Sequence, residues 1–119
     1  MKYMLMMFGD AADMAEVRSP EWIAEMMAFM GAFLSEVEQS GELVTAHGLA
    51  LPGTAKTVSL VDGQVVVSDG PFAEAKESLA GFWVLDVKDE ARAVELASQV
   101  VVWADRVELR EVPDAPSQP

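Results

Sequence analysis

Ser68-Asp69-Gly70-Pro71-Phe72-Ala73-Glu74-Ala75-Lys76-Glu77 decides how the rest of the chain is arranged. A β-branched run, Val65-Val66-Val67, ends against it, and a second apolar run, Gly81-Phe82-Trp83-Val84-Leu85, begins just beyond it. The decapeptide therefore joins two strands. Pro71 fixes its own φ and suits the first turn of a helix, with Asp69 or Gly70 as cap and Phe72 to Glu77 long enough for a turn or two. Asp69 is then either a capping ligand for backbone N–H groups or a carboxylate offered to a small molecule.

Immediately upstream, Lys56-Thr57-Val58-Ser59-Leu60-Val61 and Gln64-Val65-Val66-Val67-Ser68 flank Asp62-Gly63. Asp-Gly between two β runs is the pattern of a two-residue type I′ turn, which needs positive φ at both central positions. Such a turn pairs Leu60 with Val65 and Val58 with Val67 on one face, and Ser59 with Val66 and Thr57 with Ser68 on the other. One apolar and one mixed face imply a hairpin with its core on one side.

Further out, Tyr3 to Phe8 is an apolar run without polar alternation, as for a strand buried on both faces. Ala11 to Arg18 has no clear period and reads as a loop. Ser19-Pro20-Glu21 starts a helix, with Ser19 as N-cap, and Ile23, Met26, Met27, Met30, Phe33, Leu34 and Val37 recur at helical spacing up to a stop at Gly41. This methionine stripe reads as core, with a binding groove as the alternative, while Trp22 and Phe29 widen the apolar face toward a cavity or a partner subunit. Leu43 to Ala46 is a strand running into His47-Gly48, and Leu49 to Gly53 a loop. Gly81 to Val87 is an interior strand. Asp89 caps a second helix from Glu90 to about Val100, Val101-Val102-Trp103 is ambiguous, and Val107 to Val112 alternates as the last strand. The order is βαββαβ with an inserted hairpin, a ferredoxin-like α+β fold in a single domain over residues 1–112, followed by a flexible tail, 113–119. Helices on one face leave the other uncovered. Trp83 or Phe82 would line that face, and a second copy packing face to face is the simplest cover.

Composition sets bounds on function. An apolar fraction of 51 % with mean hydropathy +0.20 exceeds what one core of 119 residues hides, which again implies a homodimer. The net charge of −12 repels polyphosphates and anionic lipid, so neither direct nucleic-acid binding nor a membrane surface is expected. There is no cysteine, hence no disulfide and no thiolate site, as suits a reducing cytoplasm, and His47 is the only imidazole, which leaves no ordinary zinc set. The N-terminus reads as neither signal peptide nor membrane span.

Taken together, Met1-Lys2-Tyr3-Met4-Leu5, Gly48-Leu49, the decapeptide, Gly81-Phe82 and Val107-Glu108-Leu109-Arg110 resemble the YCII-related, or DGPF-domain, family. The resemblance covers nearly the whole chain, and Asp-Gly-Pro-Phe-x-Glu-x-Lys-Glu is its specific part. It implies a dimeric ferredoxin-like α+β barrel. It also implies two competing roles: a small-molecule protein, as a binder or as a cofactor-independent enzyme using a His-Asp pair, and a non-catalytic interaction protein associated with a sigma factor through protein contacts. YCII relatives are expected to carry the histidine on the first helix. The stretch Pro20 to Ser40 has none, and only His47, on or just after a strand, is left.

The expected site residues are accordingly Asp69 and His47 as acid–base groups or polar anchors, with Gly70, Pro71, Phe72, Glu74, Lys76 and Trp83 around a ligand and no metal or organic cofactor. Against this stand plainer roles: an Asx-type turn or cap for Asp69, a strand-end polar residue for His47, and core or interface packing for Phe82, Trp83 and Trp22.

Overall fold

The computed structural model describes residues 1–9, 17–70 and 78–114. The elements are β1 (Lys2–Phe8), α1 (Pro20–Gln39), β2 (Leu43–Gly48), a 3₁₀ turn (Pro52–Thr54), β3 (Lys56–Val61), β4 (Gln64–Asp69), β5 (Leu79–Asp86), α2 (Glu90–Ala104) and β6 (Val107–Val112). Four strands form an antiparallel sheet in the order β2-β5-β1-β6. The chain passes from β1 through α1 to β2 across β5, and from β5 through α2 to β6 across β1. These are two interlocked split βαβ units, an α+β arrangement compatible with the ferredoxin-like fold.

Local chemistry sets the helix ends. Ser19 accepts the backbone N–H of Trp22 at 3.1 Å with Pro20 just inside α1, and Asp89 accepts that of Arg92 at 2.9 Å at the start of α2. Alternation does the rest. Tyr3, Leu5, Trp83 and Leu85 point to the helix side, where Phe33 and Val37 of α1 and Ala93, Leu96, Ala97 and Val100 of α2 close over them. The small residues of α2 let that helix lie close to the sheet. Met4, Met6, Phe82 and Val84 point the other way and are only partly buried, since no helix among the described residues covers that face.

Two expectations are corrected. Trp83 does not line the uncovered face: it pairs with Leu5 and Ala46 and meets Phe33 edge-on at 5.5 Å, inside the core. Its parity follows from Gly81 and Leu85 on the same inner set. The hairpin adopts the expected turn, with Asp62 at φ 51° and Gly63 at φ 79°, and the expected register throughout. It forms a separate two-stranded sheet, however, and its apolar face lies in the open: Val58, Leu60, Val65 and Val67 are 62–72 % exposed.

At the end of the sheet holding the chain terminus, Arg92 on α2 grips Glu42 just before β2 in a two-pronged pair, Nε to Oε2 and Nη2 to Oε1, both 2.9 Å. This contact and the Ser40 hydroxyl hold the Glu42 carboxyl below its usual value of 4.5, against the opposing effect of burial. Both side chains are largely sheltered, and such charge-assisted bonds are worth about 1.5–3 kcal/mol. A depressed carboxyl stabilises the fold fully above its unfolded value and loses that contribution as pH falls through the folded one. Glu42→Gln should therefore cost about 1–2 kcal/mol at neutral pH by urea unfolding. The gap from wild type should narrow as pH drops below 4.5.

Close backbone approach fixes β2 on β5. A Cβ at Gly81 would lie 3.0 Å from the His47 carbonyl oxygen and 3.3 Å from Gly48 Cα, both backbone atoms that cannot swing aside. Gly81→Ala should lose about 1–3 kcal/mol through this overpacking, with faster amide exchange across β2 than across β1.

Candidate functional site

An aromatic-walled concavity lies at the opposite end of the sheet, on its helix side. Here β1 runs out through Phe8 and Gly9, β5 begins with Ala80, and the chain leaves β2 through Leu49 to Pro52. Backbone bonds from Gly9 N–H to the Ser78 carbonyl, 2.9 Å, and from Leu49 N–H to the Ala80 carbonyl, 2.8 Å, tie both exits to β5. The start of α1 and the end of α2 form the walls. The cavity measures about 420 Å³, within the range of small-molecule sites.

Two stripes of α1 serve two purposes. Trp22, Met26 and Met30, four apart, face the cavity, whereas Phe29, Phe33 and Val37, also four apart, turn toward the other helix and the core. An aromatic ladder joins the two regions: Trp22 to Trp103 at 5.4 Å, Trp103 to Phe29 at 5.9 Å, Phe29 to Phe33 at 5.8 Å, and Phe33 to Trp83. Each such pair adds about 0.5–1.5 kcal/mol beyond its burial, so the cavity wall is braced from the core. Charge is sparse. Arg18 stands at the mouth with its guanidinium carbon 4.4 Å from the Trp22 ring centre, and Asp105 lies beside the end of α2.

The site residues expected from the sequence fall elsewhere. His47 lies on the edge strand β2, exposed, its Nε2 2.9 Å from Thr45 Oγ1 and its ring 5.9 Å from that of Phe82, with which it shares the sheet's open side. It also lines a groove of about 330 Å³ with Leu34, Phe82 and Trp83, which brings two of the expected site residues, His47 and Trp83, together. Asp69 ends β4, directly across from Lys56, and ion-pairs with that lysine while remaining 85 % exposed. The cap and Asx-turn readings of Asp69 concern residues 71–77, outside the described residues. Gly70, at φ 97°, donates to the Ala55 carbonyl and accepts from the Thr57 hydroxyl, closing the hairpin's base. Pro71, Phe72, Glu74 and Lys76, with the short helix expected there, lie outside the described residues. Among the described residues no cavity is lined by both His47 and Asp69, and no cluster of three or more His, Asp or Glu side chains is placed to hold a metal ion. No helix among them is long and apolar enough to cross a membrane.

Trp103 and Arg18 are the wall and cation that sequence reading passed over. Trp103 had a signal: with Leu96, Ala97, Val100 and Ala104 it continues the spacing of α2 one turn beyond the expected end at Val100. Arg18 had none, because it precedes the first periodic residue.

The model of the YCII-related domain matches residues 1–115, the β-α-β frame and the hairpin together. The chain belongs to the YCII-related domain family. A relative in Rhizobium meliloti (strain 1021), itself uncharacterised, is 29 % identical over 97 residues, 82 % of this chain and 77 % of that protein. The YCII-related match spans every element named above and assigns no chemistry to the aromatic cavity.

Proposed function

We propose that this YCII-related protein is a homodimeric small-molecule-binding protein whose ligand occupies the cavity between the start of α1, the end of α2 and the exits of β1 and β2. The observation that carries the reading is a concavity of about 420 Å³ walled by Trp22 and Trp103 and braced by an aromatic ladder, on a chain of net charge −12. Among its described lining residues there is no histidine and one carboxylate, Asp105, so binding rather than acid–base chemistry is the activity supported. A neutral probe tests it. Binding of 4-phenylbutyramide should perturb tryptophan emission and weaken at least tenfold in Trp103→Leu, while His47→Ala and Asp69→Asn bind as wild type. Loss on His47→Ala instead would move the site to the groove beside β2.

The dimer reading rests on the sheet's open side, where Met4, Met6, Phe82 and Val84 form a central apolar strip between the Glu108–Arg110 pair on β6 and Thr45 and His47 on β2. Two such faces packed across a twofold axis would make a dimeric α+β barrel with an apolar centre and polar rims. Sedimentation should give twice the 12.9 kDa chain mass for wild type and a single chain mass for Val84→Glu.

The hairpin favours a second reading, an interaction protein working through protein contacts such as a sigma factor, because an isolated two-stranded ribbon with an open apolar face is marginal in water. Leu60→Lys separates the two. A monomeric variant assigns the hairpin to the dimer, and an intact dimer leaves its face for another protein.

A further inference from the structure

We infer that the aromatic cavity selects a monoanionic organic ligand, an apolar or aromatic body carrying one carboxylate, with Arg18 as the anion-binding residue. The inference rests on the cavity being the binding site and adds the chemistry of what enters it.

Arg18 carries the argument. The chain holds 20 acidic residues against 8 basic ones, and Lys56, Arg92 and Arg110 each ion-pair with a carboxylate. Among the described residues, no carboxylate comes within ion-pair distance of Arg18, although Asp105 lines the same cavity. What holds it is the Trp22 ring, 4.4 Å from the guanidinium carbon. A cation–π contact of this kind satisfies the charge partly and uses none of the five N–H donors, whose fork matches a carboxylate with two parallel bonds. Among the described residues the side chain is thus held against the cavity with its donors available, and the ring that holds it is also a wall.

Size and charge narrow the class. The walls are largely apolar, with Met7, Met26, Met30, Trp22 and Trp103 among them. An inorganic anion would fill a small part of about 420 Å³ and leave these side chains against water, so the anion needs an organic body. Among the described lining residues a polyanion meets one cation, beside the Asp105 carboxylate and within the field of a chain of net charge −12. One negative charge is matched and two are not. A neutral body gains the walls but leaves the guanidinium fork unused.

Isothermal titration with three probes sharing one body decides the matter: 4-phenylbutyrate, 4-phenylbutyramide and 4-phenylbutyl phosphate. The monocarboxylate should bind wild type about tenfold or more tighter than the amide, the margin expected of a charge-assisted bidentate contact, and tighter than the dianionic phosphate. Raising the salt concentration should narrow the acid's advantage. In Arg18→Gln the acid should fall to the affinity of the amide, whose own affinity is unchanged, and Arg18→Lys should restore part of the difference. Equal binding of acid and amide to wild type overturns the anion inference and leaves the cavity reading standing. Tighter binding of the phosphate overturns it in favour of a phosphorylated ligand. Binding of none of the three, with tryptophan emission unmoved, overturns the cavity reading and this inference with it.

Discussion

The interaction on which everything else depends is the meeting of β1 and β5 at the centre of the sheet, where Leu5 faces Trp83 on one side and Leu109 on the other. Leu5 is fully buried, and the helices close over the same inner set. Because successive side chains alternate between faces, burying Leu5, Trp83 and Leu85 commits Met4, Met6, Phe82 and Val84 to the opposite face in the same stroke. A sheet built from two continuous apolar strands is greasy on both sides, and two helices can roof only one. The uncovered side follows from that count.

The same commitment positions the cavity. Each split βαβ unit sends its helix back over the sheet, so the start of α1 and the end of α2 arrive together above the ends of β1 and β2. Met7 and Phe8 of β1 and Ala80 of β5 supply the cavity's floor. Trp22 and Trp103 lean on each other across it and pass their packing down through Phe29 and Phe33 to Trp83. At the other end the Glu42–Arg92 clamp joins α2 to the start of β2. One end of the layer is closed by charge and the other is held open by aromatic rings.

Local rules were legible wherever the determining partners lie close in sequence. Asp62-Gly63 fixed the hairpin register residue by residue, since a two-residue turn leaves one way to pair its strands. Ser19 and Asp89 announced their helices because an N-cap acts within three residues. The face of Trp83 was not legible in the same way, as β5 is apolar on both alternating sets and periodicity alone does not say which set meets the helices. Nor was the setting of Asp69 legible, because its partner Lys56 lies across the hairpin rather than within the decapeptide that drew attention to it.

The amino-acid sequence by itself determined the order of elements, the hairpin turn, both helix starts, the excess of apolar surface and the family, all of which depend on short-range spacing or on composition. Only the tertiary structure decided which face of each strand is inward, that the hairpin stands apart with its valines in the open, and that Arg18, Trp22 and Trp103 share one cavity. Arg18 and Trp22 lie four residues apart at the start of one helix, and Trp103 comes from the end of the other, so what the fold adds is the meeting of the two helix ends. The approach of Trp103 to Trp22 is a property of two crossovers sharing one sheet, which no local pattern encodes.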